Sequence, residues 1–408
     1  MSERASAACI VGNNGVRLWG LLGAERLTRQ LRSAGISSVL REHDAAPAGS
    51  VVVLRSDYLF EDRTIADLLR QPGVVLTASG APAGSAAVAA HVPARDLAAA
   101  RAALEGSTDP RSIPGVVAQS PESLSKSYVR KLHKSVPPVV LPARPERAAA
   151  LERHLFDGSY KGVTDLVTKW VWPAPARMVT RFCAGNGIPP NAVTSVSFAL
   201  VVLATWLFAR GEFGIGLALA WLMTFLDTVD GKLARVTVAS TRFGHYFDHS
   251  IDSVHPPIWY FAWAWGVANG EPAIWQFAPM LTAILVFYVV GRLIETAFKK
   301  AVGTFSMFAW RPFDSYFRLI LARRNPNLLM LSGSYLAGRP DVGLAAVAVW
   351  TVVSTLVLGF RLGQGALARM RSEPVRSWLD EHDGGSGALP GYARPFIADL
   401  AAVRHLVQ

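Results

Sequence analysis

The stretch Asp227-Thr228-Val229-Asp230-Gly231-Lys232-Leu233-Ala234-Arg235 is followed, after eight residues, by Gly244 and then by Asp248 and Asp252. Asp227 and Asp230 are three positions apart, and Asp248 and Asp252 four. Each pair therefore shares one face of a helix. Two adjacent helices of this kind turn four carboxylates onto one cavity. Gly231 and Ala234 remove bulk from the first helix and Gly244 from the start of the second, which lets a ligand approach the backbone. Arg235 offers a planar fork for a phosphate, and Thr241, in the connection, offers a hydroxyl donor.

Working outward, both helices sit among apolar runs. Residues 190–370 are rich in Trp, Phe, Leu and Val, whereas residues 1–185 resemble a soluble protein. The chain is 51% hydrophobic, with a mean hydropathy of +0.27. A bilayer core needs about 20 apolar residues per helix. Six spans are expected, at 192–209, 213–235, 243–268, 274–296, a short one at 327–337, and 342–362. Six crossings put both termini on one side. A charged side chain at mid-bilayer costs about 2.5–3.5 kcal/mol, and like charges add repulsion. Four carboxylates there call for divalent cations, and hard oxygen ligands suit Mg²⁺ or Mn²⁺.

The formal charge is +11. Arg292, Lys299, Lys300, Arg311, Arg318, Arg323, Arg324, Arg361, Arg369 and Arg371 lie beside the apolar runs. That is the positive-inside pattern, and it favours membrane orientation and anionic ligands over nucleic acid. Arg323-Arg324-Asn325-Pro326 reads as a loop anchor on the cytosolic face. The two cysteines, Cys9 and Cys183, have neither disulfide-framework nor zinc spacing. The N-terminus lacks signal-peptide features, so the first domain is expected in the cytosol.

The pattern D-x2-D-G-x2-A-R-x8-G-x3-D-x3-D resembles the signature of the CDP-alcohol phosphotransferase family, with all eight fixed positions present. The resemblance extends to Ile188-Pro189-Pro190-Asn191-Ala192-Val193-Thr194, where the family has Thr-Pro-Asn, and covers roughly residues 155–370. It implies an all-α, six-helix transmembrane domain that transfers a substituted phosphate from a CDP-linked donor to an alcohol and releases CMP. CDP-diacylglycerol is the expected donor, in phospholipid biosynthesis. By resemblance, Asp227, Asp230 and Asp248 hold metal, two ions in all. Asp252 is the general base and also touches metal. Asn191, Thr194, Asp227, Gly231, Ala234, Arg235, Thr241 and Gly244 bind CDP. Arg292 and Arg361 are candidates for an alcohol or phosphorylated-alcohol acceptor, with snorkelling to headgroups as their alternative. His249 and His255 read as packing residues. The resemblance further implies a homodimer in the inner or plasma membrane, multi-pass, with its site facing the cytoplasm. An ion pathway or a catalytically inactive scaffold is the reading from a different class.

Residues 8–11 and 51–54 read as buried parallel strands, with a helix over 21–34 stopped by Gly35. This is an α/β pattern. A further helix is expected over 121–133, capped by Ser120 with Pro121 at its first position. Leu22-Gly23-Ala24-Glu25-Arg26-Leu27 and Val51-Val52-Val53-Leu54, with Asp57 after it, resemble sugar-nucleotide and inositol-phosphate nucleotidyltransferases. In that family an Asp like Asp57 helps hold a metal. The loop from Val11 to Leu18 departs from the family's phosphate-cradling Gly-rich loop and lacks its Pro-Lys pair. The first domain is therefore expected to be inactive. Domain order also resembles fusions that join CDP-inositol to inositol phosphate, which gives the alternative acceptor and donor. The expected organisation is a cytosolic nucleotidyltransferase-like domain at 1–145, a Pro-rich linker and interfacial helix at 146–188, the membrane domain at 189–371 and a cytosolic tail at 372–408. Trp170 and Trp172 suit the headgroup layer.

Overall fold

Short runs of alanine and valine with no charge between them make buried strands. The computed structural model describes residues 5–40, 44, 48–79, 87–106, 109, 113, 115–270, 272–303, 305–381 and 390–397, without the side chain of His245. Of the tail expected at 372–408, residues 382–389 and 398–408 lie outside the described residues. One unit holds the described residues up to Tyr160 with Val236–Val238 and residues 390–397. The other holds Lys161–Arg235 and Ala239–Glu381.

In the first unit the order is β1 (Ala7–Val11), β2 (Arg17–Leu18), β3 (Leu21–Leu22), α1 (Gly23–Ser33), β4 (Val39–Leu40), β5 (Ser50–Arg55) and β6 (Tyr58–Phe60). Then come α2 (Asp62–Leu68), β7 (Val74–Thr77), β8 (Ala87–Pro93), α3 (Leu97–Leu104), β9 (Val117–Gln119), α4 (Pro121–Leu124) and α5 (Ala148–Gly158). A six-stranded sheet runs β4-β1-β5-β8-β7-β9. β1 and β5 pair in parallel, Ala8 opposite Val52, with α1 in the crossover. β8 runs antiparallel to both β5 and β7, so the sheet is mixed. Gly35 ends the α1 segment at φ 92°, a conformation that side chains resist.

The helix expected over 121–133 is corrected. Ser120 does cap it, accepting the Ser123 N–H at 3.3 Å, but only α4 forms. The chain then makes an antiparallel pair, Tyr128–Val129 against Lys134–Ser135. Arg63 Nη1 donates to the carbonyls of Lys126, Ser127 and Val136 at 3.0, 2.9 and 2.8 Å. A helix would need the first two of those carbonyls for its own ladder.

The second unit is helical: α6 (Pro173–Gly185), α7 (Pro190–Ala209), α8 (Phe213–Val236), α9 (Arg242–Ala268), α10 (Ala278–Ala301), α11 (Pro312–Ile320), α12 (Arg324–Leu336) and α13 (Pro340–Met370). Proline opens α6, α7, α11 and α13, where its missing N–H is not needed. A π-helical turn, Val167–Val171, precedes α6. The core centres on Trp263, fully buried, with Phe208 edge-on at 5.2 Å and Phe213 at 4.4 Å.

Among the described residues, four helical segments are long and apolar enough to cross a membrane: Pro190–Ala209, Phe213–Val236, Ala273–Ala301 and Pro340–Met370. The best window of Ala273–Ala301 is only 17% buried yet strongly apolar, so its outward face suits lipid, not water. The expected third span corresponds to α9, whose first half is polar. The expected fifth corresponds to α12, whose 13 residues reach about 20 Å, short of a core about 30 Å thick.

α7 and α9 approach closely because Gly266 lacks a side chain. A Cβ there would stand 2.0 Å from the Phe208 carbonyl oxygen and 3.0 Å from the Gly211 nitrogen. Gly266→Ala should force the two helices apart and cost about 1–3 kcal/mol. Thermal unfolding in detergent measures this, and an unchanged midpoint would show that the contact is not closely packed.

Candidate functional site

The helical phase of α8 places Asp227, Asp230 and Gly231 near its end, and α9 places Asp248 and Asp252 within its first three turns. One carboxylate oxygen from each of Asp227, Asp248 and Asp252 lies within 4.8 Å of the other two. At an effective dielectric of 20, unit charges that far apart repel by about 3.5 kcal/mol. The cluster therefore needs positive charge. Three hard oxygen donors converging on one point are a fitting donor set for Mg²⁺ or Mn²⁺.

Asp230 stands apart from that trio. It is buried, and its Oδ2 accepts the Thr194 hydroxyl at 2.6 Å, which links α8 to the first turns of α7. Asn191 is also in that first turn. A Cβ on Gly244 would meet Asn191 Oδ1 at 2.6 Å and Thr241 Oγ1 at 3.0 Å, so these three residues are brought together. Thr241 caps α9, its hydroxyl oxygen accepting the Gly244 N–H at 3.0 Å. The Arg235 guanidinium lies over Gly231, one turn back, and Ala234 adds little bulk beside it.

The sequence reading of Arg324 as a loop anchor is corrected. Arg324 opens α12 and reaches across the site. Its Nη2 donates to Asp227 Oδ2 and its Nη1 to Asp252 Oδ1, each at 2.5 Å. The usable signal was the polar run Arg323-Arg324-Asn325-Pro326-Asn327 between two apolar stretches, since an ionisable group at membrane depth needs a named partner.

The same run builds one wall of the site. Asn325 Nδ2 donates to Asp165 Oδ1 at 2.9 Å, and the Thr168 N–H donates to the same oxygen at 3.0 Å. Burial works to raise the pKa of Asp165. The Arg318 charge and these hydrogen bonds outweigh it and leave the carboxyl below its ordinary value. Arg323 pairs with Glu295 of α10. Arg318 lies within electrostatic reach of Asp165, Glu295 and Arg292, and its buried Nη1 has no hydrogen-bond partner among the described residues.

Of the two acceptor candidates, Arg292 lines a cavity with Glu295, Arg323, Thr351, Ser354 and Thr355, and its guanidinium lies 5.3 Å from the Tyr288 ring. Arg361 is committed elsewhere. It is buried, donates to both oxygens of Asp314 at 2.6 and 2.7 Å, and stacks on Trp310 at 4.5 Å. His255 is buried against Trp259, with Nδ1 2.6 Å from the Ile251 carbonyl. In the first unit, both Asp57 oxygens are held by Arg55, at 3.0 and 2.7 Å.

Residues 188–358 match the model of the CDP-alcohol phosphatidyltransferase family. The chain is 33% identical over 186 residues to phosphatidylinositol phosphate synthase of Mycobacterium marinum, covering 43% of this chain and 73% of that one. It is 31% identical over 117 residues to archaetidylinositol phosphate synthase of Pyrococcus horikoshii, covering 28% of this chain and 60% of that one. It is 29% identical over 159 residues to the bifunctional IPC transferase and DIPP synthase of Rubrobacter xylanophilus, covering 39% of this chain and 34% of that one. The chain thus spans less than two thirds of the last two relatives.

Asp165→Asn should weaken the wall by about 1–3 kcal/mol, because Arg318 loses its opposing charge. The pH dependence follows from the lowered folded-state pKa. The stabilisation is complete above the unfolded value, about 3.9, and fades as pH falls through the lower folded value. Unfolding midpoints followed from about pH 6 to about pH 3 should show an acid limb in the wild type that is shallower in the variant. Superimposable limbs would remove this role for Asp165.

Proposed function

The chain belongs to the CDP-alcohol phosphatidyltransferase family, and from that premise we propose that it transfers a substituted phosphate from CDP-diacylglycerol to the hydroxyl of a phosphorylated alcohol, releasing CMP. The observation that carries this reading is the convergence of Asp227, Asp248 and Asp252 within 4.8 Å. A divalent cation held there neutralises the charge of the donor's diphosphate.

The chain's own residues supply the rest. Asp230 is tied to Thr194, and Asn191 meets Gly244 and Thr241; together they form a small-residue floor that suits a nucleotide. Arg235 over Gly231 offers a planar fork to the departing phosphate. Asp252 takes the proton as the acceptor oxygen attacks the donor's β-phosphorus. The new P–O bond forms there, and the bond from that phosphorus to the CMP oxygen breaks. The opposing carboxylates within electrostatic reach are Asp165 and Glu295 for Arg318 and Glu295 for Arg323, and Arg292 adds a positive charge near both arginines. That excess of positive charge, with an unpartnered buried Nη1 on Arg318, supports an acceptor that carries a phosphate. The names of two relatives, an archaetidylinositol phosphate synthase and a phosphatidylinositol phosphate synthase, support the same acceptor class.

The reading extends to the chain's placement. Several crossings of an inner or plasma membrane, with the carboxylate end at the cytoplasmic face, agree with the basic residues beside the helices. The chemistry belongs to the helical unit. In the first unit Asp57 is occupied by Arg55, which supports a domain without catalysis of its own.

Purified protein given CDP-diacylglycerol, Mg²⁺ or Mn²⁺ and paired alcohols with and without a phosphate should release CMP, faster with the phosphorylated members. Asp252→Asn should lower kcat by about 10²–10⁴-fold with the fold retained. Arg318→Ala should raise KM for the phosphorylated acceptor by about tenfold while leaving KM for the donor near its original value. Absence of CMP release with every donor and acceptor would end the enzyme reading. Equal KM for both acceptor classes would end the phosphate assignment.

A further inference from the structure

We propose that Arg324 is the resident counter-ion of the carboxylate cluster, and that its guanidinium and a divalent cation occupy the site alternately. The inference rests on the reading of these carboxylates as a cation site. The guanidinium bridges Asp227 and Asp252, two of the three carboxylates that converge, and binds each at 2.5 Å. Arginine stays charged at any pH a protein survives, so this is a permanent positive charge at the centre of the cluster. A cation entering among the same oxygens would meet it at contact distance and compete for the same lone pairs.

The side chain is built to leave. Its buried Nε has no hydrogen-bond partner among the described residues. Apart from the two carboxylates, the hydrogen-bond acceptor its end meets among the described residues is the weak Met223 Sδ, at 3.9 Å. Asp165 is a third carboxylate within electrostatic reach of Arg324, one outside the converging trio, and gives the released charge somewhere to go. Two consequences follow. With Arg324 in place the cluster does not repel itself apart, because one positive charge bridges two of its three members. Pairing of its Oδ1 to Arg324 makes Asp252 a weaker proton acceptor, so base and metal become available in the same event.

Manganese binding is followed by the loss of the free-ion EPR signal, a readout that needs no turnover. Full-length protein in detergent is titrated with Mn²⁺ as wild type, Arg324→Gln and Arg324→Lys. Arg324→Gln should bind Mn²⁺ about tenfold more tightly, since a competing charge-assisted pair is gone. Arg324→Lys should stay close to wild type. In the wild type, Mn²⁺ should also speed modification of Arg324 by phenylglyoxal, mapped by mass spectrometry against Arg323, which keeps its partner Glu295. This second measurement decides the matter if the Gln variant does not fold. Equal or weaker Mn²⁺ binding in Arg324→Gln, or labelling that Mn²⁺ leaves unchanged or slows, would overturn the proposal while the cation site stands. A wild type that binds no Mn²⁺ would remove the cation reading, and the proposal with it.

Discussion

Three carboxylates held within 4.8 Å of each other, among helices that present apolar faces outward, set the terms for the helical unit. Such a cluster persists only if charge is supplied to it and if the surrounding helices hold it rigidly. Charge comes from α12, through Arg324. Rigidity comes from close helix packing, α7 against α9 at Gly266 and α10 against α13 at Gly291, where a Cβ would lie 3.4 Å from the Thr355 hydroxyl oxygen.

Polar contacts around the cluster are graded by distance from it. Asp230, in phase with Asp227 on α8, accepts the Thr194 hydroxyl through one oxygen and so fastens α7 to α8. Asp165, Asn325 and Thr168 form a wall in which each buried polar atom has a named partner, with Asn325 Oδ1 the exception among the described residues. Further along α13, Arg361 and Asp314 make a pair that Trp310 covers and that Ser377 and Trp378 close over, through bonds to Ala309 and Ser315. That pair stabilises the helix ends, which is why a buried arginine is not by itself evidence of a ligand.

Much of the site was legible because helical periodicity is local. Spacings of three and four predicted shared faces for Asp227 with Asp230 and for Asp248 with Asp252, and the small residues beside them had an evident use. Periodicity also found β1, β5 and the helix between them. What it could not show were partners distant in the chain. Arg324 meets carboxylates 97 and 72 positions away, and a pair of arginines before a proline looks locally like a surface anchor. Thr194 meets one oxygen of Asp230 across 36 positions. The helix begun at Pro121 stops for a similar reason, since Arg63, some sixty positions earlier, claims the carbonyls it would have used.

Arg323 and Arg324 are neighbours in the chain, yet they engage different helices. One holds Glu295 of α10, and the other spans α8 and α9. Arg324 is the first residue of α12 and Arg323 the extended residue that caps it, so one short helix carries two arms. The carboxylate of α10 and the carboxylates of α8 and α9 are thereby held through a single peptide unit, so the three helices share one point of attachment at the start of α12.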